Sequence, residues 1–77
     1  MKHILIVKEI ADQFFEEYAH REQDQEQQCF FEYPFPGSFS LDEKREIVSE
    51  TLRYLSEEVE QFTISFEEDS LFINAKI

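Results

Sequence analysis

The stretch from Ser40 to Phe62 most narrows what this chain can become. Ser40-Leu41-Asp42-Glu43 spells a capping box. In that motif the serine oxygen accepts from the backbone N–H three residues on, and the glutamate reaches back to the serine N–H. Behind it, Leu41, Val48, Leu52, Leu55, Val59 and Phe62 recur at spacings of seven, four, three, four and three. That is the period of one helical face. Asp42, Glu43, Glu46, Glu50, Glu57 and Glu60 fall opposite, with Arg53 as the cation among them. The stretch predicts an amphipathic helix, apolar inside and strongly negative outside.

Residues 3–20 also carry a helical pattern. Ile4, Val7, Ile10, Ala11, Phe14, Phe15, Tyr18 and Ala19 fall on one side, and Glu9, Asp12, Gln13, Glu16 and Glu17 on the other. Leu5 and Ile6 stray from it. Periodicity alone does not separate this from a short strand at Ile4–Val7 followed by a helix. One helix is preferred, because no Gly, Pro or capping residue stands between Val7 and Ile10 to turn the chain. His20 to Gln28 is wholly polar, and its Glu and Gln residues allow the helix to run on into solvent before fraying. It is the segment expected to be most mobile.

Two strand regions complete the chain. Phe31, Tyr33 and Phe35 alternate within Cys29–Phe35, but Pro34 and Pro36 have no N–H to give a ladder, so a short edge strand is expected. Near the C-terminus, Phe62, Ile64 and Phe66 alternate with polar residues, as do Leu71, Ile73 and Ala75. A turn centred on Glu68-Asp69 pairs Phe66 with Leu71, Ile64 with Ile73 and Phe62 with Ala75, which puts all six on one face. The element order is α-β-α-β-β. The predicted fold class is α+β, a single small domain built as a two-layer sandwich with two helices on one face of a three-stranded, largely antiparallel sheet.

The chain has 77 residues, enough for one domain of small core. Cys29 is the single cysteine, so no disulfide forms within the chain. Aromatic packing must serve instead, with nine Phe and three Tyr available. The apolar run Ile4–Val7 ends at Lys8-Glu9, too short for a secretory signal or a membrane span. A soluble, cytoplasmic protein is expected.

Eighteen acidic against seven basic residues give a formal charge of −11. Such a surface repels nucleic acid and anionic membranes and attracts basic protein surfaces. Two roles follow for the charge. It keeps an aromatic-rich chain in solution, or it docks a basic partner. The candidate partner-binding residues are Asp42, Glu43, Glu46, Glu50, Glu57 and Glu60, joined by Glu9, Asp12 and Glu16 if the two helices are antiparallel neighbours. A rigid acidic helix can also imitate phosphate rows and occupy a nucleic-acid groove, so an inhibitor of a nucleic-acid-binding protein or of a toxin is within this class.

No catalytic, cofactor or metal site is expected. His20 follows Glu16 by four residues, but two ligands do not make a metal site. Cys29 has no nearby His or Lys to lower its pKa. Gly37 is the one glycine, so no phosphate loop exists. A non-enzymatic protein-binding module is therefore expected. The alternative is a homodimer or assembly subunit held through the open sheet face, with Phe30 and Phe72 as candidate dimer contacts. Phe39, just before the Ser40 cap, is expected to fold back as a staple rather than point outward.

Overall fold

The computed structural model describes residues 3–77; Met1 and Lys2 lie outside the described residues. The elements run α1 (Ile4–Gln23), β1 (Gln28–Pro34), α2 (Leu41–Leu55), β2 (Phe62–Phe66) and β3 (Ser70–Lys76). The sheet order is β1-β3-β2, with β3 antiparallel to both neighbours. This is the expected α+β sandwich, with α1 over β1 and α2 over β2. Because β1 and β2 both oppose β3, they run parallel to each other, and α2 is the crossover between them. The hairpin register matches the sequence prediction: Phe66 with Leu71, Ile64 with Ile73, Phe62 with Ala75.

Residues 4–7 are helical, not a strand. The helix starts without a side-chain cap at His3, and burial of Val7, Ile10, Ala11 and Phe14 holds it in place. Its polar end is well built. Gln25 N–H bonds the Glu22 carbonyl at 3.1 Å and Glu26 N–H bonds the Arg21 carbonyl at 3.0 Å, the paired bonds of a Schellman motif. Arg21 clips the turn from both sides, 2.8 Å from Glu17 and 3.1 Å from Glu26.

The turn requires Gln25 to adopt φ 61°, the left-handed region that glycine enters freely. Gln25→Gly is expected to stabilise the domain by about 0.5–1 kcal/mol. In a thermal melt that is a rise of about 3–6 °C. A fall in Tm would mean that the glutamine side chain contributes more than its backbone strain costs.

β1 is longer than its prolines suggest. Phe35 N–H bonds the Asp69 carbonyl and Ile77 N–H bonds the Gln27 carbonyl, each at 2.9 Å. This parity turns the backbone groups of Cys29, Phe31 and Tyr33 toward β3 and those of Gln28, Phe30, Glu32 and Pro34 outward. The missing N–H of Pro34 therefore costs no ladder bond.

α2 differs from its sequence reading in two ways. It ends at Leu55 rather than running to Phe62. Glu57, Glu58 and Glu60 would set three carboxylates at the negative end of the helix dipole. Instead the chain turns there, with Glu58 and Val59 N–H both bonding the Leu55 carbonyl, and Phe62 opens β2. The buried face is also rotated. Ile47, Thr51 and Leu55 are fully buried, whereas Leu41 and Leu52 are 54% and 46% exposed. The capping box itself is present in full: Glu43 N–H donates to Ser40 Oγ at 3.1 Å, and Ser40 N–H to Glu43 Oε1 at 3.0 Å.

Candidate functional site

The two helices run parallel, not antiparallel. His3, at the head of α1, lies 3.3 Å from Glu43 in the first turn of α2. Tyr18, near the other end of α1, shares a surface hollow with Glu58, just beyond α2. The outer sides of the two helices still face the same way, but with His3 level with Glu43 the carboxylates of Asp12 and Glu16 lie about 15 Å further along the axis than those of Asp42 and Glu46.

The candidate carboxylates separate into two groups. Asp12, Glu16, Asp42 and Glu46 are exposed on the helices, and Glu57 and Glu60 are exposed in the turn beyond α2. The others are engaged. Glu43 holds the capping box and stands beside His3. Glu50 lies 3.8 Å from Arg53. Glu9 accepts from Gln13 Nε2 and from the Tyr33 hydroxyl, each at 3.2 Å. The exposed helical carboxylates thus fall in two places, one turn at the middle of α1 and the first two turns of α2. Arg45, also exposed on α2, is a second cation that the sequence pattern overlooked.

Tyr33 ties this surface to the core. Its ring is buried between α1 and the sheet, and its hydroxyl reaches Glu9. Burial, then the Glu9 carboxylate, pushes its pKa up to about 12. The fold holds the neutral phenol more tightly than the unfolded chain does, so this stabilisation is complete below pH ~10 and is lost as pH rises toward 12. Burial also raises the Cys29 thiol, helped by Glu17, which acts in the same direction. Tyr33→Phe is expected to remove on the order of 1 kcal/mol of the alkaline loss between pH 9 and pH 11, read as urea midpoints at those two values. Identical pH slopes for the variant and the parent would exclude Tyr33 as the source.

At the helix entrance, Phe39 folds back, but onto aromatic neighbours rather than an apolar residue one turn into α2. Its ring meets His3 at 5.5 Å and Phe35 at 5.8 Å. Lys44 lies over the Phe35 ring at 5.7 Å and donates to the Glu68 carbonyl. This closes the end of the domain where both helices begin.

On the open sheet face, Phe30 and Phe72 sit 6.0 Å apart, diagonal across β1 and β3. Phe30 is 60% exposed and Phe72 half-buried. A shallow hollow of about 390 Å³ beside them is lined by Gln28, Glu60, Thr63, Asn74 and Lys76. A second, of about 480 Å³, lies round the same edge between Tyr18, Glu58 and Ile77. Neither contains a histidine, cysteine or serine. Among the described residues, no three His, Cys, Asp or Glu side chains are grouped to hold a metal ion, and no helix is long and apolar enough to cross a membrane.

Compared with protein-family models, curated proteins and solved structures, the chain matches none.

Proposed function

We propose that this chain is a small, non-enzymatic protein-binding module of the cytoplasm whose acidic helical face docks on a basic protein surface. The observation that supports it most is the outward exposure of Asp12 and Glu16 on α1 and of Asp42 and Glu46 on α2, two carboxylate pairs staggered by about 15 Å along parallel helices, on a chain of net charge −11. Rigid helices fix these carboxylates in space before the partner arrives, so little ordering entropy is lost on docking. Asp42 and Glu46 stand one turn apart, about 6 Å along the axis, a spacing that lets the row act as a phosphate mimic on a nucleic-acid-binding protein or a toxin. Long-range charge steers the encounter.

The test is charge reversal with one substitution per helix, Glu16→Lys and Glu46→Lys together. Both sites are exposed and outside the core, so the fold should persist, checked by circular dichroism. Capture of a basic partner from a host lysate at low salt is expected to fall at least about tenfold, and the same partner should elute as salt is raised. Retention that is indifferent to both salt and charge reversal would sink the docking role.

The Phe30–Phe72 pair favours a second role, a homodimer joined through the open sheet face, with the charge serving solubility. In that case Phe72→Ser converts a dimer to a monomer in size-exclusion light scattering, and the helix charge reversals leave the mass unchanged.

A further inference from the structure

The free edge of β2 and the flank of α2 beside it are unfinished. Lys76 N–H bonds the Gln61 carbonyl and Glu67 N–H bonds the Ser70 carbonyl, each at 2.9 Å. This parity turns Gln61, Thr63, Ser65 and Glu67 toward β3 and leaves the backbone N–H and C=O groups of Phe62, Ile64 and Phe66 pointing out of the sheet. β2 is an edge strand and contains no proline or charged residue. The other edge is blunted by Pro34 and Glu32, both at outward-facing positions of β1, the usual protection against strand addition.

α2 overhangs this same edge. It packs over β2, and α1 lies on its other side, marked by the His3–Glu43 contact. At 100° per residue, Leu41, Val48 and Leu52 share the flank away from α1. Leu41 and Leu52 are largely exposed there and Val48 half-buried. These residues belong to the apolar stripe of the sequence, yet the three-stranded sheet is too narrow to cover them. A fourth strand beside β2 would bond its outward amides and lie beneath that flank.

Charge decides what the fourth strand can be. Glu58 and Glu60 precede β2, and Glu67, Glu68 and Asp69 follow it, whereas Arg45 is the cation on the α2 flank. A second copy pairing antiparallel about Ile64 would set Glu60 against Glu68 at each end, and like charges directly opposed are destabilising. A strand with lysine or arginine at both ends meets the opposite sign. We infer that the β2 edge, roofed by Leu52 and Val48, accepts an extended segment of another protein with an alternating apolar centre and basic ends, by strand addition. That the strand comes from another protein rests on the binding role proposed above; the sign of its charge follows from the carboxylates at both ends of β2.

The probe is a synthetic peptide of six alternating Thr and Val residues with two lysines at each end, compared with the same core ended by glutamates. Basic ends suit either strand direction. Amide exchange in the full chain is the readout. The lysine-ended peptide is expected to slow exchange at Phe62, Ile64 and Phe66 at least tenfold and leave Gln28, Phe30 and Glu32 unchanged, while the glutamate-ended peptide does neither. Ile64→Pro removes an outward N–H without breaking a β3 bond and should abolish the effect. Should that variant not fold, Leu52→Gln, at an exposed position, should weaken peptide binding at least threefold. Equal protection by both peptides, protection on β1 instead, or slow exchange that grows with protein concentration alone (a second copy) would each overturn the inference. Lysate capture separates the two proposals. Capture lost in the helix-reversed variant but kept in both Ile64→Pro and Leu52→Gln overturns the edge alone. Peptide protection in a chain that captures nothing overturns the helical docking surface alone.

Discussion

Phe14→Ala is expected to bring this domain close to unfolding at 25 °C. Phe14 is fully buried where α1 meets β1. Its ring contacts Phe15 and Tyr18 at 5.6 Å and Phe31 at 5.9 Å, the last edge-to-face. Truncation forfeits the burial of one large ring and leaves three others facing a void, a loss of about 3–5 kcal/mol. A chain of 77 residues has a total stability of about 4–12 kcal/mol, and no disulfide supplements it, since Cys29 is a free, buried thiol. Urea unfolding should show the midpoint falling by about 2–4 M with the slope unchanged. Phe30→Ala is the matched control. The same atoms are removed from a largely exposed ring with Phe72 as its aromatic neighbour, and the cost should stay below about 1.5 kcal/mol. Comparable losses at both positions would mean that the two sheet faces contribute alike, contrary to a one-sided core.

Much of this fold is legible in the sequence because local signals agree with the final packing. The capping box sets the start of α2, and the period-2 alternation around Glu68-Asp69 sets the β2–β3 register, since slipping by one residue would turn Ile64 and Ile73 to the wrong face. What the sequence withholds is mutual placement. The parallel direction of α1 and α2 follows from the chain reversals on either side of β1, at 24–27 and 35–40, but the place of β1 beside β3 rather than β2 does not show in any local pattern. Neither does the outward parity of Pro34, which permits a seven-residue β1. The end of α2 is withheld for a different reason: Val59 and Phe62 keep the helical period by coincidence, one buried in the turn and the other opening a strand. Of the candidate acidic site, residue types and exposure are readable. The capping role of Glu43 and the Arg53 beside Glu50 are local signals too, but that Tyr33 holds Glu9 and His3 meets Glu43 is not readable, because those contacts join distant parts of the chain.

Ile47→Ala against Leu52→Ala tests the rotation of α2, with opposite expectations from sequence and structure. The periodic stripe passes through Leu52 and omits Ile47. In the fold, Ile47, Thr51 and Leu55 form the seam against the core, one turn apart and fully buried, and Leu52 stands nearly half-exposed beyond the sheet edge. Ile47→Ala should therefore cost about 2–5 kcal/mol, and Leu52→Ala less than about 1 kcal/mol. The reason lies in the width of the sheet. Strands are spaced about 4.8 Å apart and packed helices 8–10 Å. Three strands thus give two helices a floor only about as wide as the pair itself, and α2 keeps its outer flank in water. That flank is apolar at Leu41, Val48 and Leu52, although polar residues there would serve a monomer as well. The contrast between the two variants should consequently shrink when the lysine-ended peptide is present, because a strand added at β2 covers Leu52 and leaves Ile47 where it was. Urea midpoints for both variants, with and without the peptide, measure this directly. A cost at Leu52 as large as that at Ile47 in the free chain would place α2 about one-third of a turn away from the packing described here, with the overhang and the strand it would roof both removed.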